Sequence, residues 1–132
     1  MVIDTSAMVA ILFAEPEQRR FVELIHATES RLMSAASVLE TSLVVEGSFG
    51  QSAGRDLDLF LIDAEIEIVD VTREQIDAAR SAWRRYGKGR HRAALNFGDC
   101  FVYALAKVSG EPILAKGNDF TRTDIPLCVS NL

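Results

Sequence analysis

Four carboxylates stand at positions where they could act together, although they are far apart in the chain: Asp4, Glu40, Asp99 and Asp119. Carboxylates that share a pocket repel one another, and they cannot all stay ionised unless a cation lies between them. Oxygen ligands without a nearby Cys or His suit Mg²⁺ or Mn²⁺ better than zinc. The chemistry that such a centre supports is the activation of water for attack on a phosphodiester.

Asp99 belongs to residues 95–107, a stretch that predicts a loop ending at Gly98 followed by a buried helix. At 100° per residue, Asp99 shares a helix face with Val102 and Tyr103, so its side chain should point inward. A negative charge in a first helical turn is also favoured by the unpaired N–H groups and the macrodipole. Taken alone, Asp99 is therefore consistent with either charge compensation at a helix end or metal binding.

Glu40 lies in an apolar stretch that predicts a helix from about residue 36 to Phe49. On a helical wheel it falls in the middle of an apolar arc, so we expect a largely buried helix and an inward-facing carboxylate. The alternative is a capping box at Ser37-x-x-Glu40, in which Glu40 only bonds the backbone at the helix start. We favour metal binding, because the arc includes a residue that precedes Ser37. The arc consists of Ala36, Leu39, Leu43, Val44 and Gly47.

Length and composition bound the class of protein. The chain has 132 residues, 48% of them hydrophobic and 25% charged, which predicts a single globular domain over residues 1–132. Two cysteines without C-x-x-C spacing predict buried thiols in a reducing compartment. No signal sequence and no apolar run of about 20 residues is visible, so we expect a soluble, cytoplasmic protein without membrane attachment.

Short apolar runs alternate with helical patterns along the chain. This alternation predicts a three-layer α/β/α fold with a central parallel sheet of four to five strands. Such sheets bind ligands beyond the carboxyl ends of their strands. Asp4 and Asp119 each lie just after the carboxyl end of a candidate strand, and the helix that carries Asp99 leads into the fourth candidate strand. Thr5 or Ser6 is expected to cap the first helix. The candidate strands are residues 2–3, 32–33, 66–71, 112–115 and 127–129.

The net charge of −5 is unevenly distributed. Residues 1–77 carry 15 acidic and 5 basic side chains, whereas residues 78–98 carry six basic and no acidic ones. A basic segment that leads into Asp99 can steer a phosphate backbone, although a solvated helix face and loop explain it equally well. Within the helix predicted up to Tyr86, Ile76, Ala79 and Trp83 are expected to face the core.

Three motifs, in their order and spacing, resemble those of a PIN-domain ribonuclease, and more narrowly those of the VapC toxins of VapBC toxin–antitoxin pairs. The resemblance covers essentially the whole chain. It implies a PIN-like fold in which Asp4, Glu40 and Asp99 hold Mg²⁺ or Mn²⁺, while Thr5 and Ser6 supply orienting hydroxyls. The motifs are Val2-Ile3-Asp4-Thr5-Ser6, Ser37-x-x-Glu40 and Asn96-Phe97-Gly98-Asp99-Cys100-Phe101-x-Tyr103-Ala104-Leu105-Ala106.

The segment expected to carry a fourth catalytic acid departs from the family pattern, which often has Thr-x-Asp-x-x-Phe after the fourth strand. Here the segment is Lys116-Gly117-Asn118-Asp119-Phe120, with Lys in place of Thr and a closer Phe. Asp119 reaches the cleft through the turn at Gly117, or Asn118 takes its place; both alternatives stay open. The candidates for contact with substrate phosphate are Lys88, Arg90, Arg92 and Lys116.

The resemblance also implies a function. It implies a metal-dependent endoribonuclease toxin that hydrolyses RNA with metal-activated water. The expected partners are a cognate VapB-type antitoxin that blocks the cleft and a second copy of the chain, giving a homodimer and a heterotetramer or larger complex. One alternative is a non-catalytic PIN-like module that binds RNA or protein. Another is a phosphotransfer enzyme with Asp4 as nucleophile, for which Asp-x-Asp is expected instead of Asp4-Thr5-Ser6.

Overall fold

A computed structural model describes residues 1–129, so the predicted single domain over residues 1–132 extends three residues beyond the described part. Among residues 1–129, no helix combines the length and apolar composition that crossing a bilayer requires. The elements, in chain order, are β1 (Val2–Ile3), α1 (Thr5–Leu12), α2 (Gln18–Ala27), β2 (Leu32–Ser34), α3 (Ala35–Phe49), α4 (Gln51–Asp63), β3 (Glu67–Val69), α5 (Arg73–Tyr86), α6 (Phe97–Ser109) and β4 (Ile113–Leu114).

The sheet has four strands in the order β3-β2-β1-β4, and all neighbouring pairs are parallel. Val2 of the central strand β1 is aligned with Leu32 on one side and with Ile113 on the other. The fifth strand predicted at residues 127–129 is reduced to one parallel bridge between Ile113 and Leu127. The predicted parallel sheet is therefore confirmed, with four strands and one added bridge.

Helices cover both faces of the sheet. Side chains alternate across a strand, and Ile3 and Leu114 accordingly join the hydrophobic cluster that includes α1, α2 and α4. Their neighbours Val2 and Ile113 join a second cluster that includes α5 and α6. The three-layer α/β/α prediction is confirmed.

Helix α3 begins earlier than the capping-box interpretation requires. Its N-cap is Ser34, whose side chain accepts a hydrogen bond from the N–H of Ala36 at 3.2 Å. Ser37 therefore lies inside the helix, and Glu40 lies nearly one turn further on and is half-buried. The capping-box interpretation of Ser37-x-x-Glu40 is wrong, which leaves Glu40 available for another role.

The face of α3 that we predicted to be buried is largely exposed. Leu39 and Leu43 are 61% and 65% exposed, whereas Ser37, Thr41 and Val45 pack inward. The hydroxyl of Thr41 donates to the carbonyl of Ser37 at 2.8 Å. Because a Ser or Thr hydroxyl can hydrogen-bond to a carbonyl of its own helix, a helix face that contains such residues can pack into the core. The apolar side chains beside Glu40 are then left exposed.

Helix α5 is also rotated relative to the prediction. Gln75 and Tyr86 are buried, whereas Ile76 and Trp83 are 39% and 42% exposed. Gln75 can be buried because its side-chain amide donates to the carbonyl of Asp70 at 3.0 Å. The expectation that Ile76 and Trp83 pack into the core is therefore wrong.

Candidate active site

The four predicted carboxylates lie within electrostatic range of one another at the carboxyl edge of the sheet. Asp4 directly follows β1, and its N–H donates to the carbonyl of Leu114 at the end of β4, at 2.9 Å. Asp99 lies in the first turn of α6 and Glu40 on α3. Burial is the main cause that raises the pKa of Asp99 to about 7, and the charges of Asp119, Asp4 and Glu40 act in the same direction. The charges of Glu40 and Asp119 therefore act on the ionisation of the two buried aspartates.

Asp4 is 5% exposed and serves as the N-cap of α1. Its Oδ2 accepts a hydrogen bond from the N–H of Ser6 at 3.0 Å and another from the Ser6 hydroxyl. The cap is thus Asp4 itself, and the prediction that Thr5 or Ser6 caps this helix is wrong. Burial raises the pKa of Asp4 and the bonds from Ser6 lower it, while the charges of Glu40 and Asp119 raise it again. The environment of Asp4 therefore opposes its negative charge.

Ser6 connects Asp4 to the loop that follows β4. Its hydroxyl donates to Asp4 and accepts a hydrogen bond from the N–H of Lys116 at 2.9 Å. The hydroxyl of Thr5 instead donates to the carbonyl of Ser37 at 3.3 Å, which joins α1 to α3. Of the two hydroxyls predicted to orient the acids, that of Ser6 is the one that donates to a carboxylate in this structure.

Ser6→Ala should lower the free energy of unfolding by about 1–3 kcal/mol, because the change removes one donor to a buried carboxylate and the acceptor of the Lys116 N–H. Urea denaturation of the two proteins measures the difference. Thr5→Ala is the matched control and should cost less, since its hydrogen bond is long at 3.3 Å. Equal losses in the two variants would contradict the bridging role of Ser6.

Asp99 is held by a reciprocal capping box with Asn96. The side-chain oxygen of Asn96 accepts from the Asp99 N–H at 2.9 Å, and Asp99 Oδ2 accepts from the Asn96 N–H at 3.0 Å. The helix therefore begins at Phe97, one residue before the predicted end of the loop at Gly98. Asn96 was missed as a positioning residue, although the spacing Asn-x-x-Asp resembles a capping box.

The donor set fits a hard divalent cation. All four groups are carboxylates, and Oδ2 of Asp4 and of Asp99 is already engaged in a helix cap. The other carboxylate oxygen of each aspartate, Oδ1, accepts no hydrogen bond from residues 1–129 and is therefore available to bind a ligand. Among the same residues, no group of three or more Asp, Glu, His or Cys side chains is arranged as a complete metal site. Completing the site therefore requires adjustment of Glu40 and Asp119, which are less buried.

The basic residues predicted to contact phosphate are exposed on the loop between α5 and α6: Lys88, Arg90 and Arg92. The loop is closed by a hydrogen bond from the N–H of Lys88 to the carbonyl of Leu95 at 2.9 Å. The Arg90 guanidinium lies 4.1 Å from the centre of the Trp83 ring, a cation–π distance. Their contact with a substrate stays a prediction.

The loop after β4 carries the remaining predicted residues. The ammonium of Lys116 pairs with Glu15 and, at 3.4 Å, with Glu17, so two carboxylates already compensate its charge. Asp119 is exposed, and its charge acts on both buried aspartates. The carbonyl of Asn118 accepts a backbone hydrogen bond in the same turn. Phosphate contact by Lys116 and the choice between Asp119 and Asn118 stay predictions.

Two apolar grooves flank α6 and were not predicted from the sequence. One, of about 520 Å³, lies between α5 and α6, and the other, of about 400 Å³, lies between α3 and α6. Phe97 and Phe101 line both grooves, and Glu40 and Gly98 line the second. Phe97 is 81% exposed. The sequence signal for these grooves was Phe97 itself, a large apolar residue at the start of the helix that carries Asp99.

The PIN domain family model matches residues 1–126 of the chain. Ribonuclease VapC30 of Mycobacterium tuberculosis is 59% identical over 125 residues, which cover 95% of each chain. Ribonuclease VapC of Mycolicibacterium smegmatis is 57% identical over 125 residues, covering 95% of this chain and 97% of that protein. The chain belongs to the PIN-domain family, among the VapC ribonucleases.

Solved structures show the same fold at low sequence identity. VapC20 of Mycobacterium tuberculosis, described as a sarcin-ricin loop cleaving toxin, has a TM-score of 0.76 at 16% identity, covering 94% of this chain and 95% of that one. VapBC2 of Rickettsia felis, solved with a DNA fragment from its promoter, has a TM-score of 0.73 at 15% identity, covering 96% and 94%. These similarities support the three-layer fold.

Proposed function

We propose that this protein is a metal-dependent endoribonuclease, the toxin of a type II toxin–antitoxin pair, and that it hydrolyses RNA phosphodiester bonds with metal-activated water. The observation that carries the proposal is the approach of four carboxylates at one edge of the sheet, where the charges of Glu40 and Asp119 raise the pKa of the buried Asp4 and Asp99. Membership among the VapC ribonucleases supports it.

Asp4, Glu40 and Asp99 would hold Mg²⁺ or Mn²⁺, with Asp119 as a fourth catalytic acid. When bound, such an ion supplies positive charge that acidifies a coordinated water and offsets charge on the phosphate. The protein's own contribution is orientation, because Ser6 and the backbone N–H of Asn96 each fix one oxygen of a buried aspartate. Preorganised ligands of this kind need little rearrangement during reaction.

The basic loop would hold the RNA strand. Lys88, Arg90 and Arg92 are exposed on the segment that leads into Asp99, and they lie in a stretch with no acidic residue. Positive charge beside an acidic centre can attract a phosphate backbone that the centre alone would repel. We propose that Lys116 contacts phosphate only when its pairs with Glu15 and Glu17 open.

A cognate VapB-type antitoxin is the proposed inhibitor, and a homodimer that assembles with it into a heterotetramer or larger complex is the proposed form of the toxin. The exposed apolar side chains Leu39, Leu43 and Phe97 support a protein partner, since contiguous apolar surface marks interaction sites. A chain with a similar fold, solved in a toxin–antitoxin complex from Klebsiella pneumoniae, supports the same assignment.

The test is cleavage of 5′-labelled random-sequence RNA by antitoxin-free protein that has been stripped of metal with EDTA. We expect cleavage only after Mg²⁺ or Mn²⁺ is added, together with a rise in melting temperature on adding Mn²⁺, since ligands that bind the folded state stabilise it. A protein that shows neither response would instead be the non-catalytic RNA- or protein-binding module.

A further inference from the structure

Gly98 lies directly against the carboxylate of Glu40. A Cβ at residue 98 would stand 2.3 Å from Oε2 of Glu40, which is closer than real Cβ atoms come to a neighbour, and 3.0 Å from its Cδ. Gly98 belongs to α6 and has no positive φ, so its backbone conformation does not require glycine. A larger residue would instead have to displace the carboxylate of Glu40, which lies against the first turn of α6 next to Asp99.

Among residues 1–129, the carboxylate of Glu40 has neither a hydrogen bond nor an ion pair that would fix its position. Its neighbours on the side of α6 are the backbone of Gly98 and the first turn of that helix. The neighbouring surface of α3 is exposed, so solvent lies within reach of a long, flexible side chain. The close approach to the backbone of Gly98 therefore limits where this carboxylate can lie on the side of α6.

We propose that Gly98 is a positioning residue for the metal site. By leaving space against α6, it lets Glu40 approach Asp99 and thereby sets the affinity for a divalent cation. The inference rests on the proposed function, because it assigns Glu40 a role in holding the ion. In Gly98→Ala the methyl group would displace the Glu40 carboxylate and leave the fold intact, since the displaced atoms end a flexible side chain and alanine favours a helix over glycine.

Helix α4 supplies a matched control. Gly54 is also helical, and a Cβ there would stand 2.5 Å from Oε1 of Glu46, another glutamate of α3. Glu46 accepts a hydrogen bond from Ser42 at 3.0 Å, and its charge is not among those that act on Asp4 or Asp99. Gly54→Ala therefore repeats the same steric event away from the acidic cluster.

The experiment measures Mn²⁺ binding by calorimetry, without RNA, in wild type, Gly98→Ala, Gly54→Ala, Glu40→Asp and the double variant Gly98→Ala/Glu40→Asp. We expect Gly98→Ala to weaken Mn²⁺ binding by at least about tenfold, the usual effect of removing a group that orients a metal ligand. Gly54→Ala should bind as wild type does. Adding Gly98→Ala to Glu40→Asp should cost less than it does alone, because the shorter side chain no longer meets the methyl group.

Metal-free melting curves, followed by circular dichroism, accompany each titration and should show Gly98→Ala as stable as wild type or more so. Unchanged Mn²⁺ affinity in Gly98→Ala, an equal loss in Gly54→Ala, or fully additive losses in the double variant would each overturn the positioning role and leave the proposed nuclease standing. Failure of wild type to bind Mn²⁺ would overturn the proposed function, and the inference with it.

Discussion

Asp99→Asn should reduce metal-dependent RNA cleavage by at least about a hundredfold, because an ion at such a site supplies several kcal/mol of transition-state stabilisation and each tenfold in rate corresponds to about 1.4 kcal/mol. The fold should survive. An asparagine oxygen can accept the hydrogen bond from the Asn96 N–H, so the capping box persists, while a charge that is unfavourable in this buried position disappears. Initial rates on labelled RNA and urea denaturation of the same preparations measure both quantities.

Asp58→Asn is the control for this variant. Asp58 is an exposed carboxylate on α4 and is not among the charges that act on Asp4 or Asp99, so its loss should leave cleavage within about twofold of wild type, an energy of about 0.4 kcal/mol. Undiminished cleavage by Asp99→Asn would remove this carboxylate from the mechanism. Equal losses of cleavage in the two variants would show that the cleavage rate depends on the overall charge of the protein and not on the acidic cluster.

The positions of the two strand-end acids could be predicted because they depend on topology. Asp4 and Asp119 come after apolar runs that pair as neighbours in the sheet, and neighbouring parallel strands bring the residues beyond their carboxyl ends to one edge. The inward orientation of Asp99 could be predicted from helix periodicity, since the residues on its face are all buried. Local pattern and a general rule of α/β folds were sufficient for these residues.

The packed faces of α3 and α5 could not be predicted, because polar residues that are satisfied locally compete with apolar ones for the core. Thr41 bonds its own helix and Gln75 bonds the preceding loop, and both are buried. Leu43 and Trp83 are left exposed. Contacts between distant elements were equally out of reach, since nothing in the spacing of the two residues places Gly98 of α6 against Glu40 of α3.

The exposed apolar side chains adjoin the acidic cluster, so a protein partner and a metal ion would use adjoining surfaces. Glu40 lines a groove together with Leu39, Leu43 and Phe97, and its charge acts on the two buried aspartates. A partner that fills this groove would contact the surface of Glu40 and exclude water and substrate from the carboxylates at the same time. Inhibition by a protein and catalysis by an ion would therefore be competing uses of one edge of the sheet.

The metal-free protein should be more stable at pH 5 than at pH 8, by about 2 kcal/mol, because each tenfold difference in an acid constant corresponds to about 1.4 kcal/mol. The pKa of Asp99 is raised from its ordinary value of 3.8 to about 7 in the folded protein. Between these values the folded state binds more protons than the unfolded state, so stability falls as pH rises from about 4 to about 7 and then levels off. Asp4 shifts in the same direction.

The acids whose pKa is lowered do not oppose this trend in the same window. Burial acts to raise the pKa of Asp124, but hydrogen bonds from Lys107 and Tyr103 outweigh it and lower the pKa to about 2, so the contribution of Asp124 is lost only below about pH 4. Urea denaturation in EDTA at the two pH values measures the slope. A stability that rises from pH 5 to pH 8, or an equal fall in Asp99→Asn, would contradict the assignment. Adding Mn²⁺ at pH 8 should restore the lost stability in wild type and do little in Asp99→Asn, because the cation binds where the proton was lost.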